Sequence, residues 1–231
     1  MILTAFEHSS TLRSVSLASD LEGRIERMIV AGDFAPGERL NENQRAERFG
    51  TSRGPICGAV RALESSGLVT SVGDHGFFVR RLDVQEIREV YDVRAALFAL
   101  AGRLLAERVT DEQLDRMHGF VAEMEEAARR WDFDTYYPLN LAFHEFILDA
   151  AGNPALAGHC RNFVKRLLLH ARSLLQGGGL AVSNREHREM LAAIAARDPN
   201  WAHEAHWRHI ATAKDRLLAV VRGEAAARGK I

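Results

Sequence analysis

The feature that most constrains this chain is where its breakers fall. Asp33-Phe34-Ala35-Pro36-Gly37, Gly50-Thr51-Ser52-Arg53-Gly54-Pro55 and Gly73-Asp74-His75-Gly76 punctuate the first third and leave room only for short elements between them. From Val84 onward punctuation is sparse and apolar residues recur at helical spacing, with helix-start signals at Thr110-Asp111-Glu112-Gln113, Asn153-Pro154 and Asp198-Pro199. Such a chain divides into a small unit of short elements, residues 1–82, and a larger all-helical one, residues 83–231.

In the small unit, Leu17, Leu21, Ile25, Met28 and Ile29 share one face of a helix that runs to Ala31 and stops at Gly32. Asn41 or Asn43 caps a short helix through Phe49, and Ser52 caps another whose apolar stripe is Ile56, Val60 and Leu63, with Gly50 in the tight turn between them. Beyond Gly67, the segments Leu68-Val69-Thr70-Ser71 and Phe77-Phe78-Val79-Arg80 read as two strands around a hairpin tip. Three helices followed by a hairpin make a winged helix-turn-helix. The rest predicts helices over Val84–Glu107, Asp111–Arg130, Phe133–Ala151, Pro154–Leu175, Ser183–Arg197 and Pro199–Ala227, an antiparallel six-helix bundle in a mostly α protein. Gly177-Gly178-Gly179 is read as a loop rather than a phosphate cradle, because no strand precedes it and no Lys-Ser/Thr follows.

Hydrophobic residues at 47% and charged residues at 26% supply enough apolar surface for a core and exclude a disordered chain. No stretch approaches the roughly 18 uninterrupted apolar residues of a membrane helix. Met1 to Ser10 also lacks a basic flank followed by an apolar run, so a cytoplasmic protein without a membrane partner is expected. Cys57 and Cys160 are expected to be free thiols in that compartment. The net charge of -1 gives no global attraction to nucleic acid, so a DNA partner has to be held by local placement of charge.

Such placement exists. A helix-turn-helix reads DNA when the second helix points polar and basic groups into the major groove while its first amides hold a phosphate, and Thr51, Ser52, Arg53 and Gly54 stand at that helix start. Arg53 is the residue to read a base, since a guanidinium can bond guanine O6 and N7 together. Arg39, Arg45, Arg48 and Arg61 are near enough in sequence to track phosphates, and His75 with Gly76 could carry a wing tip into the minor groove. Residues 1–82 hold ten Lys/Arg against ten Asp/Glu, so the unit is not basic overall, and it is the order of turn, cap and wing that favours DNA over a merely solvated surface.

In the helical unit, Asn140 and His144 are i, i+4 and share one helix face, while His187 and His209 lie on two later helices that could face the same interior. His187 heads an apolar stripe with Leu191 and Ile194, which turns it inward. Three imidazoles and one oxygen ligand would leave positions open on a metal for water or a carboxylate; buried, hydrogen-bonded histidines are the other reading of the same spacing.

The stretches IVAGDFAPGERLNE, FGTSRGPICGAVRALESSGLV and GDHGFFV resemble the DNA-binding domain of the GntR family of bacterial transcription regulators. VYDVRAALFALAGRLLAE, LNLAFHEFILDAAGNPAL, EHREMLAAIAARD and HWRHI resemble the FCD ligand-binding domain of that family's FadR branch, with the short linker at Arg80 to Asp83 and the helix count of the VanR-like subgroup. The resemblance implies a dimeric, metabolite-responsive repressor or activator that binds a pseudo-palindromic operator in double-stranded DNA and is not an enzyme. It implies a divalent metal, zinc or nickel, held by His144, His187 and His209 with Asn140 as a weak or water-mediated fourth ligand. Asn140 stands where an Asp is common, which makes the protein ligands neutral. Arg94 matches the arginine of VYDVR, where a guanidinium facing the pocket could clamp the carboxylate of a small effector acid; a structural ion pair is its other reading.

Departures from the family pattern bear on function. Where Pro-Val-Arg-Glu-Ala-Leu is usual, this chain has Pro55-Ile56-Cys57-Gly58-Ala59-Val60, so a second DNA-facing arginine is missing at Cys57, and Gly58 costs the helix about 1 kcal/mol relative to alanine. Arg45 replaces an apolar residue and must snorkel outward or alter the packing. Phe98 replaces a commonly acidic residue, while Trp131, Trp201 and Trp207 are assigned to packing. Two rivals remain: a helical metalloenzyme and a ligand-binding bundle with a vestigial winged helix. The enzyme lacks paired Glu-x-x-His motifs, and Leu148 stands where a zincin signature beginning at His144-Glu145 needs its second histidine.

Overall fold

The structure, a computed structural model, describes residues 17–30, 32–175 and 179–228. Met1 to Ser10, Ala31, Gly177 and Gly178 lie outside the described residues. The chain divides between Leu82 and Asp83 into two compact units.

In the first unit, helix α1 (residues 17–30) buries Leu21, Ile25 and Ile29 completely, one residue per turn. It ends where Gly32, at φ +87°, lets the Gly32 and Asp33 amides reach back to the Ile29 and Met28 carbonyls. Strand β1 (Arg39–Leu40) leads into α2 (Glu42–Phe49), where Asn41 is the cap and its side chain accepts from the Asn43 and Gln44 amides. Gly50 closes α2 in the left-handed region at φ +62°, and α3 (Arg53–Ser65) begins three residues later. Ser52 stands at the cap position in extended conformation, yet its side chain makes no capping bond, which departs from the expectation drawn from sequence.

Ile56, Ala59, Val60 and Leu63 of α3 are buried. Strands β2 (Val69–Ser71) and β3 (Phe77–Val79) pair antiparallel with Val69 opposite Val79, and β1 adds to the other side of β3 with Arg39 opposite Phe78, giving the order β1-β3-β2. A two-residue strand has no periodicity of its own, so β1 is not visible in the sequence.

The second unit is a bundle of α4 (Val84–Arg108), α5 (Asp111–Arg129), α6 (Phe133–Ala150), α7 (Pro154–Leu175), α8 (Gly179–Ala195) and α9 (Pro199–Arg228). Reciprocal capping boxes start α4 at Asp83/Glu86 and α5 at Thr110/Gln113, and proline opens α7 and α9, where its missing amide proton costs nothing. Helix α8 starts four residues before Ser183, so Gly179 is helical rather than part of a loop. Helices α4 and α9 pack along one another so closely that a methyl group on Gly102 would lie 2.4 Å from Nδ1 of His206.

Trp131, Trp201 and Trp207 are exposed by 68%, 38% and 46%, not packed. Trp131 sits at φ +54° in the turn between α5 and α6. Among the described residues no helix is long and apolar enough to cross a membrane.

Candidate functional site

In the first unit, Ser52, Arg53 and Gly54 are exposed at the start of α3, with Thr51 half-buried. Arg53 Nη2 reaches Glu42 Oε2 at 3.3 Å while the Arg53 side chain stays 69% exposed. An exposed pair of this kind is worth under about 1 kcal/mol, so the guanidinium is easily released. Arg39, His75 and Gly76 come together at the wing. His75 is exposed on a single 3-10 turn, Gly76 adopts φ +94°, and a side chain on Gly76 would meet the Arg39 guanidinium at 3.5 Å.

Arg61 is exposed farther along α3. Arg48 faces a surface cleft of about 420 Å³ shared with Arg24, Arg27 and Phe49, where Arg24 lies 4.5 Å over the Phe49 ring. Arg24 and Arg27 are not among the sequence-predicted DNA contacts, because they belong to α1 rather than to the helix-turn-helix. Arg45 places its guanidinium 4.6 Å over Phe34, packing its stem where the family has an apolar side chain. Cys57 is half-buried, and both it and Cys160 are free thiols.

In the second unit, α6, α8 and α9 bring three imidazoles to one point. His144 Nε2 lies 3.2 Å from His187 Nε2 and 3.2 Å from His209 Nε2. Ligand nitrogens at about 2.0–2.1 Å on a tetrahedral zinc stand roughly 3.3 Å apart, which these two spacings match, and the ligand atoms of all three rings lie within 4.8 Å of one another, a group that could hold one ion. All three rings are buried. Burial, with neighbouring histidines next for His144 and His187, holds them well below the usual histidine range. His209 is held low by burial first and then by Arg94 and Arg216. Neutral imidazole is the form that binds metal.

Three such nitrogens aimed at one another cannot all be satisfied by shared protons, and His187 Nδ1 has no partner among the described residues. His209 Nδ1 donates to Glu186 Oε2 at 2.9 Å, which fixes the tautomer and leaves Nε2 free to ligate. Burial raises the Glu186 carboxyl, opposed mainly by the Arg216 guanidinium.

Asn140, one turn before His144 on α6, is buried and lines a cavity of about 60 Å³ together with His144, His209, Arg94, Ser183 and Arg216. Arg94 hydrogen-bonds to the buried Tyr91, whose phenol is raised by burial, and has its guanidinium 5.7 Å from that ring's centroid. Phe98, replacing an acidic residue, packs 5.2 Å from His144 and 5.3 Å from His206, so the far side of the centre is apolar. His206 itself is fully buried against α4, whereas His118, His159 and His203 are exposed. Glu186 and Arg216 are the functional candidates that sequence reasoning missed. Arg216 was reachable, since it follows His209 by two helical turns and so shares its face; the contact from Glu186 to His209 crosses between helices and leaves no local spacing.

Residues 17–79 match the family of bacterial regulatory proteins named gntR, and residues 89–212 match the FCD domain. An uncharacterised HTH-type transcriptional regulator of Bacillus subtilis, YdhC, is 32% identical over 80% of this chain and 85% of its own length. The Nta operon transcriptional regulator of Aminobacter aminovorans is 28% identical over 85% of this chain and 92% of its own. Among solved structures, McbR/YncC of E. coli superposes with a TM-score of 0.74 at 20% identity, covering 90% of this chain and 98% of that one, a likeness of fold.

Proposed function

This chain belongs to the gntR family of bacterial regulatory proteins, carries an FCD domain and is a DNA-binding transcription regulator, and from that premise we propose how it is switched. It acts in the cytoplasm as a homodimer on a pseudo-palindromic operator, residues 1–82 reading DNA and residues 83–231 binding a small carboxylate at a zinc or nickel centre. The observation that carries this reading is the convergence of three buried imidazoles, two of which, His144 and His209, line one cavity with Arg94.

His144, His187 and His209 would hold the ion and Glu186 would orient His209, with Asn140 as a weak or water-mediated ligand. When bound, such an ion supplies an open position for a carboxylate oxygen. Arg94 pairs with the anion. Protein ligands without charge leave the cation's charge for the anion to balance. The acid alters DNA affinity only if it binds the DNA-competent and incompetent arrangements unequally.

In the winged unit, Arg53 would read a base and Thr51, Ser52 and Gly54 would seat a phosphate at the start of α3. Arg39, Arg48 and Arg61 would contact the backbone, and His75 and Gly76 would carry the wing to the minor groove. Val93 and Leu100, two turns apart on α4 and exposed by 49% and 38%, offer apolar surface that a second copy can cover.

The test is metal analysis after mild purification, followed by thermal shift with carboxylates. Nearly one zinc or nickel per chain is expected in the wild type and none in the triple His→Ala variant of 144, 187 and 209. A carboxylate should raise the melting temperature of the metal-loaded protein only, and Arg94→Ala should abolish that rise. Stoichiometric metal in the triple variant would place the site elsewhere.

A further inference from the structure

Helices α6 and α7 leave a second cavity between them, of about 400 Å³. From α6 it is lined by Leu141, Ala142, Glu145 and Leu148, spaced i, i+1, i+4 and i+7 and so on one helix face. From α7 come Arg161, Val164 and Lys165, spaced i, i+3 and i+4. Leu141, His144 and Val164 line both this cavity and the smaller one beside Arg94, so they form the wall between the two.

The lining fixes the chemistry. Aliphatic carbon of Leu141, Ala142, Leu148 and Val164 makes up most of the wall, which gives water few partners and suits an apolar occupant. A volume of about 400 Å³ lies in the range of small-molecule pockets, roughly 300–1,000 Å³, at the end that takes one or two rings.

Charge at the rim argues against an anion. Arg161 donates to Glu145 and to Asp149, one turn apart on α6, and Lys165 has an interaction of its own. The two cations and two carboxylates cancel. An anionic ligand that drew Arg161 away would be left beside both Glu145 and Asp149, and like charges set side by side are costly. A neutral ligand leaves the pairs in place and buries carbon against carbon.

We propose that the α6–α7 cavity is a second ligand site, taking a neutral aromatic or alicyclic molecule of one or two rings. The inference stands apart from the acid reading, since it needs neither a metal nor Arg94.

The experiment is displacement of the neutral fluorophore N-phenyl-1-naphthylamine from the full-length protein by a matched pair, 1-naphthalenemethanol and 1-naphthoate. The fluorophore should bind saturably at one per chain, and the alcohol should displace it at a concentration about tenfold or more below that of the carboxylate. Ala142→Phe fills the cavity and should weaken the fluorophore about tenfold or more while cooperative melting is kept. If melting curves show that Ala142→Phe does not fold, Ala142→Leu reads the same point with a loss of about threefold or more. Glu145→Gln combined with Asp149→Asn removes both carboxylates and should narrow the gap between alcohol and naphthoate about threefold or more. No saturable binding, affinity undiminished in the Ala142 variants, naphthoate displacing as well as the alcohol, or a gap unchanged in the double variant overturns the proposal. Failure of every acid in the thermal-shift screen overturns the acid reading and leaves this one standing.

Discussion

His209 donates from Nδ1 to Oε2 of Glu186 at 2.9 Å while its Nε2 stands 3.2 Å from that of His144. One imidazole thus has its tautomer set by a carboxylate behind it and its lone pair aimed at the candidate metal position. Outer-shell partners of this kind are worth roughly 10–100-fold in metal affinity. Glu186→Ala should weaken zinc binding by about that factor, measured by competition with a chromogenic chelator. Unchanged affinity would mean that the carboxylate serves Arg216 alone.

The winged unit yields a prediction about specificity. Arg53→Ala should cost about 1 to 3 kcal/mol on a selected operator and leave affinity for random duplex nearly unchanged, because the guanidinium bonds a base edge rather than a phosphate. Glu42→Gln removes the carboxylate that Arg53 Nη2 meets at 3.3 Å, and should strengthen operator binding. Fluorescence anisotropy at about 0.15 M salt reads both. An equal loss on operator and random DNA in Arg53→Ala would make Arg53 a phosphate ligand.

A pH dependence follows from His206. Burial pushes this imidazole down to about 4, with the bond to the Ala202 carbonyl opposing. The unfolded side chain titrates near pH 6.5, so between about 6.5 and 4 the unfolded state binds a proton that the native state does not, and stability rises with pH across that window. Native stability should be full above about pH 6.5 and fall as the pH drops, by about 3 kcal/mol from this residue once pH 4 is reached. Urea unfolding of metal-free protein from pH 7.5 to 4 checks it. His206→Leu should make the profile shallower by about that amount, the remaining slope coming from His144, His187 and His209, which burial also holds low in the metal-free protein, and an identical slope in both proteins would contradict the assignment.

Two glycine substitutions should act in opposite directions. In Gly102→Ala the new methyl meets the His206 ring at 2.4 Å, and that ring is held by its bond to Ala202 O at 2.6 Å, so a loss of roughly 1 to 3 kcal/mol is expected. In Gly58→Ala the methyl meets only the Ala18 Cβ at 3.4 Å, an ordinary contact, and the helix gains about 0.5 to 1 kcal/mol. Chemical denaturation of the two variants side by side measures both signs.

Legibility in the sequence followed the range of the interaction. Helix starts at Asp111, Pro154 and Pro199 can be read because cap, capping box and N1 proline are all local. The start of α8 misleads because glycines signal a break although Leu180, Ala181 and Val182 continue the helix. Strand β1 exists through pairing with β3, and the close approach of Gly102 to His206 exists through the packing of α4 on α9; neither leaves a local pattern. His144, His187 and His209 stand in recognisable motifs, but the second layer of Glu186 and Arg216 depends on packing between helices. The exposed tryptophans show the converse, since residue type alone says nothing of which way a side chain faces.

The central claim is that an acid bound at the histidine centre and Arg94 sets the affinity for DNA. Its most direct test is the operator dissociation constant, by anisotropy, for zinc-loaded and metal-stripped protein with and without a saturating carboxylate found by thermal shift. A shift of at least fivefold is expected in the zinc-loaded wild type, with none in the stripped protein or in Arg94→Ala. The same shift in metal-stripped protein would contradict the account.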